Sequence, residues 1–136
     1  MVEVENVEQA VTNVQVPGLR ALVVEAVQAL SDREHQERVW IRLERPHPGY
    51  EDNLDMNISI LFDDTSILPD PLSGVGWYIY PDEVEPLREL GSVLDPMIDE
   101  IGDAADSAYL AHPRWNEVVR LAGVALQVMR THEGAV

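Results

Sequence analysis

The sequence predicts an α+β fold: a three-stranded antiparallel β-meander with helices packed on one face, in the order α-β-β-β-α-α. Three observations predict it. Residues 17–30 carry a helical apolar stripe, three central segments alternate apolar and polar residues, and two further helical stripes fill the C-terminal third. A small antiparallel sheet with helices on one face buries the apolar side of every element in such an order.

Val4, Val7, Val11 and Val14 fall at helical spacing in an N-terminal segment, 1–16, although their β-branching works against a helix. Pro17 suits the first turn of the next helix. There Leu19, Leu22, Val23, Ala26, Val27 and Leu30 keep one face before the polar stretch 31–37. Period two then appears three times: at Val39, Ile41 and Leu43; from Leu54 to Phe62; and at Val75, Trp77 and Ile79. Such alternation predicts half-buried strands. The links between them hold Pro46, Pro48, Gly49, Pro69 and Pro71, which are turn residues.

Asp82 with Glu85 resembles a capping box, with Pro86 in the following first turn. Leu87, Leu90, Leu94, Met97, Ile98 and Ile101 make an apolar face that Pro96 should kink or break and Gly102 should end. A last helix from Pro113 should bury Trp115, Val118, Val119, Ala122, Ala125, Leu126 and Met129, with His112 helping to cap it and 131–136 frayed. Residues 1–136 are read as one domain, a length that buries roughly two thirds of the unfolded surface.

Charge carries the functional information. Residues 46–106 hold fifteen of the twenty-five acidic side chains and one basic residue, Arg88, which is −14 of the chain's −16. A field so one-sided repels nucleic acid and anionic membranes and steers basic partners inward. The chain has no cysteine, which excludes disulfides, thiolate nucleophiles and cysteine-ligated zinc. It has no lysine either; codon bias in a GC-rich genome or a halophilic surface accounts for that. Without an ammonium, Walker-type phosphate binding and Schiff-base chemistry are excluded. The acidic N-terminus is unlike a secretory leader, and no apolar run is long enough for a bilayer span, so the expected setting is cytoplasmic.

No chemical motif stands out, and neither a cofactor nor a metal is expected. Asp63, Asp64 and Asp70 follow the second predicted strand but lack an EF-hand pattern. His47 lies between prolines, and the four histidines share no ligand spacing. Leu72-Ser73-Gly74 is no nucleophile elbow, and the sequon at Asn57 sits within a predicted strand. The alternation puts Trp40, Tyr78 and Tyr80 on the outer sheet face, where aromatic side chains anchor protein interfaces, and Trp77 and Trp115 in the core.

The expectation is a small acidic protein-binding protein that uses Trp40, Asp52, Asp55, Asp63, Asp64, Asp70, Tyr78 and Tyr80 to hold a basic protein partner. In general character it resembles immunity proteins that neutralise nuclease toxins, a likeness of type that rests on no particular motif. The alternatives are a structural subunit of an oligomer, or a small ligand-binding or enzymatic domain built on the Asp63, Asp64 and Asp70 loop.

Overall fold

The computed structural model describes residues 14–133. Among them α1 (Pro17–Ser31), α4 (Val84–Ile101) and α6 (Trp115–Glu133) form the frame. Short helices complete it. α2 (Arg33–His35) widens into a π-helix at Gln36–Ile41, α3 (Leu54–Ser59) does the same at Ile60–Asp64, and α5 (Asp106–Leu110) precedes α6. Two 3₁₀ turns, Pro71–Gly74 and Pro81–Glu83, lie in the loop before α4.

The frame helices match the sequence pattern. Pro17 opens α1, which buries Val23, Ala26, Val27 and Leu30. α6 packs chiefly on α1 and α4, with Trp115, Val118, Ala122, Ala125 and Met129 inward. Ala26, Ala122 and Ala125 keep side-chain bulk low in this core. Pro96 removes one hydrogen bond from α4 without ending it; Gly102, at φ +69°, does that. His112 Nδ1 accepts the Arg114 N–H, 3.1 Å away, at the start of α6. That helix runs to Glu133. The valine stripe of 4–14 lies almost wholly outside the described residues.

The β-meander does not exist: no β-strand occurs among the described residues, and the fold is helical rather than α+β. Two buried amides explain the first two errors. Gln36, Val39 and Trp40 are buried at i, i+3 and i+4, a helical face whose first member is polar. Gln36 is tolerated there because Nε2 donates to the carbonyls of Ala29 and Leu30 (both 2.9 Å) and Oε1 accepts from Trp115 Nε1 (2.9 Å). Leu54, Asn57 and Leu61 form the same kind of face in the second segment. Asn57 Nδ2 donates to Asp52 Oδ1 (2.9 Å) and the Asn53 carbonyl (2.8 Å), while Asn53 caps α3 by accepting from Met56 N. With each amide counted as polar, only the alternation of the remaining residues was visible.

The third segment is a tight loop. The amides of Trp77, Tyr78 and Ile79 all point to the Gly74 carbonyl at 3.0–3.1 Å, and Gly76 has φ +85°. Gly74 packs closely: a Cβ there would lie 2.7 Å from Ile67 Cδ1, so a larger residue would have to move that side chain. The loop buries Tyr78 and Ile79 and leaves Trp77 outside, 54% exposed. The expected orientations of the tryptophans are therefore reversed. Trp40 is 4% exposed and meets Trp115 edge-on, and Trp77 is at the surface; Trp115 is in the core as expected.

Candidate functional site

α2 and α3 both end in π-helical turns, closed by Arg42 N to the Glu37 carbonyl (3.1 Å) and Thr65 N to the Ile60 carbonyl (2.9 Å). Such turns re-aim the side chains that follow them. Here they deliver Trp40 and Leu43 from one side, and Ile60 and Asp64 from the other, to a cleft of about 710 Å³. Leu22, Trp40, Met56 and Ile60 supply its apolar surface. Asp55 and Asp64 from the α3 region and Asp103 and Asp106 from the start of α5 supply four carboxylates. Among the described residues no arginine lines it.

Leu43 stands at the edge of this cleft under strain. Its φ is +59°, and Glu44 N bonds to the Arg38 carbonyl at 2.9 Å, which places a leucine where a helix terminus ordinarily has glycine. It is 70% exposed, the most exposed large apolar side chain among the described residues.

One carboxylate of the cleft, Asp106, is set apart from the others by its surroundings. Burial pushes the Asp106 carboxyl above its ordinary pKa; the Leu54 N–H it accepts at 3.1 Å opposes that, and the charges of Asp55 and Asp52 add to it. Tyr109 is raised by burial and then by Asp55, Asp103 and Asp106. In both groups burial is the larger cause, and the neighbouring carboxylate charges add to it in the same direction.

The residues singled out from sequence separate. Trp40, Asp55 and Asp64 meet in the cleft. Asp52 does not line this cleft; it accepts from His35 Nε2 (2.7 Å), Trp40 Nε1 (2.6 Å) and Asn57 Nδ2 (2.9 Å), so it fixes the indole and joins α2 to α3. Asp63 is exposed and does not line the cleft. Asp70 caps the 3₁₀ turn at Leu72 N (3.2 Å) and lies 3.8 Å from Arg88. Tyr78, expected on an outer face, is buried with its hydroxyl donating to the Thr65 carbonyl. Tyr80 stacks on His132 at 3.8 Å. Asp103, Asp106, Leu43 and Met56 were missed as site residues. The two aspartates fall within the acidic run, but nothing in their spacing connects them to Asp55.

A second polar cluster closes the fold elsewhere. Arg20, 8% exposed, meets Glu83, fully buried, through two hydrogen bonds of 2.8 and 2.7 Å. It also donates to the Met129 carbonyl (3.1 Å) and lies 4.8 Å over the Tyr80 ring. Burial works against the guanidinium charge, but the hydrogen bonds and charge of Glu83 outweigh it and raise its pKa. Asp82, Glu83 and His132 come within 4.8 Å of one another, the one group among the described residues with spacing suited to a metal ion. Glu83 is already neutralised by Arg20 and accepts the Tyr80 N–H at 2.8 Å, so the cluster is better suited to tying α1, α6 and the pre-α4 loop together.

Fold and cleft define a helical, strongly acidic protein whose conspicuous surface feature is a carboxylate-walled apolar cleft. The chain belongs to the family described as Domain of unknown function (DUF7945), which matches residues 14–136. No curated protein matches the chain, and no solved structure does. No helix among the described residues is long and apolar enough to cross a membrane.

Proposed function

We propose that this protein binds a basic protein partner, in the cytoplasm, through the cleft between α2, α3 and α5, and that it acts by covering a cationic surface as an inhibitor or immunity protein does. The observation that carries the reading is the composition of the cleft wall: four carboxylates around apolar side chains, with no arginine among them. Carboxylates facing one another without a counter-ion raise each other's energy, and a partner's cation removes that penalty on binding. The apolar surface supplies what charge alone does not, since desolvated apolar contacts set residence time while charge mainly sets encounter rate.

A photo-crosslinking side chain in place of Leu43, introduced into the full chain in cells, tests this. The expected product is a heterodimer with a basic protein, linked beside arginine or lysine, whose affinity falls about tenfold or more on Asp55→Asn with Asp103→Asn. A partner whose affinity ignores these substitutions contradicts the reading. A crosslink between two copies of the chain supports the structural-subunit alternative instead.

A further inference from the structure

Met56 and Ile60 line a second cleft as well, of about 350 Å³. Its acidic members are Glu25, Asp32, Glu51 and Asp52. Again no arginine contributes, and the one basic side chain, His35, is already hydrogen-bonded to Asp52. Burial raises the Tyr50 pKa, and the Asp52 and Glu25 charges add to it. Met56, 38% exposed, is thus an apolar ridge with an acid-walled hollow on each side.

We propose that the two clefts and the ridge are one docking surface for an extended partner segment of the pattern basic–x–apolar–x–basic, its two cations entering the two clefts and its central apolar side chain resting on Met56. The inference rests on the proposed binding of a basic partner and specifies how the partner is held. A helix with its side chains is about 10–12 Å across. Residues i and i+4 of an extended chain are about 13 Å apart on the same face, with i+2 midway between them. One such segment centred on Met56, which borders both clefts, therefore reaches each of them with one basic side chain. Charge complementarity selects this occupant over the chain's own acidic N-terminus, which carries Glu3, Glu5 and Glu8, and over a second copy, which carries the same −16.

The test is an NMR titration of the ¹⁵N-labelled full chain at low salt with three blocked peptides: Arg-Ser-Leu-Ser-Arg, Arg-Ser-Ser-Ser-Arg and Ser-Ser-Leu-Ser-Arg. The first should shift resonances in both clefts, around 25–35 and 50–60 and around 103–106. Loss of the leucine or of one arginine should weaken binding about tenfold. Glu25→Gln with Glu51→Gln, or Asp55→Asn with Asp103→Asn, should each reduce the first peptide to the level of the one-arginine peptide; these four side chains are exposed and make no internal bond on which folding depends. Equal binding of the one- and two-arginine peptides, confined to one cleft, overturns the two-pronged grip and leaves the basic-partner reading standing. Equal binding of the leucine and serine peptides removes the ridge from the proposal. Shifts spread over the whole acidic surface, or no binding by any of the three, overturn both readings. Concentration-dependent shifts in both clefts without peptide assign the surface to a second copy of the chain.

Discussion

Glu83→Gln isolates the buried pair that holds α1 against α6 and the pre-α4 loop. The substitution keeps the size of the side chain and an oxygen that can accept the Tyr80 N–H, but it leaves Arg20 charged in a site where it is 8% exposed. Removing one partner of a buried ion pair costs about 3–5 kcal/mol, because the remaining charge is uncompensated. The hydrogen bond from Arg20 to the Met129 carbonyl and its place over Tyr80 survive, which argues for the lower end, about 3 kcal/mol. Unfolding entropy of about 2.1 cal/mol/K per residue over the 136 residues converts this to a melting point about 10 °C lower. Urea unfolding of Glu83→Gln, of Arg20→Met, and of Arg20→Met combined with Glu83→Leu measures it. Each single variant should lose about 3 kcal/mol or more, and the double variant should recover most of it, because two apolar side chains leave no buried charge. A Glu83→Gln loss under about 1 kcal/mol, or a double variant as unstable as the sum of the singles, refutes the reasoning.

Trp40→Ala should cost about 3–5 kcal/mol and Trp77→Ala under about 1 kcal/mol in denaturant unfolding, since the first leaves a cavity beside Trp115 and the second removes an exposed ring. Leu43→Gly should stabilise the isolated protein by about 0.5–1 kcal/mol through relief of its left-handed backbone and weaken partner binding in a direct affinity measurement. A destabilised Leu43→Gly would show that the side chain packs in the free protein. Asp106 has its folded pKa raised, so its protonated form favours the fold: that contribution is present below the unfolded pKa, about 3.9, and is lost as pH rises through the folded value. Asp106→Asn, which can still accept the Leu54 N–H, should therefore gain stability over the wild type at pH 7 and lose that advantage near pH 3; an advantage unchanged between the two pH values contradicts the assignment.

The long helices were legible because their buried faces are apolar apart from Arg20 of α1. Pro17, Gly102 and the stripes of α1, α4 and α6 each act through local chemistry that the sequence displays directly. The middle was misread because its helical faces contain Gln36 and Asn57, whose amides are satisfied by carbonyls, a carboxylate and an indole brought from elsewhere in the chain. Those partners are tertiary facts, invisible to periodicity. β-branched residues such as Val39, Ile41, Ile58 and Ile60 favoured the strand reading further. The third false strand arose from Val75–Tyr80, where Gly74 and Gly76 signalled a turn that the alternation outweighed. For the site, the acidic middle gave the sign of the field and two of the residues that meet in the cleft, Asp55 and Asp64; Trp40 was singled out through an alternation that the helical fold does not use. It did not give their grouping with Asp103 and Asp106, about fifty residues away, nor the release of Asp70 to a capping role.

The central claim, that the carboxylate-walled cleft steers and holds a basic partner, is tested most directly by the association rate constant with the protein crosslinked at position 43. Stopped-flow measurement from about 0.05 to about 0.5 M salt should show the wild-type rate falling at least about tenfold as the field is screened. Asp55→Asn, Asp64→Asn and Asp103→Asn together should bring the low-salt rate down toward the high-salt value and flatten the salt dependence. A rate indifferent to salt, or a steep salt dependence that survives these three substitutions, would contradict the account.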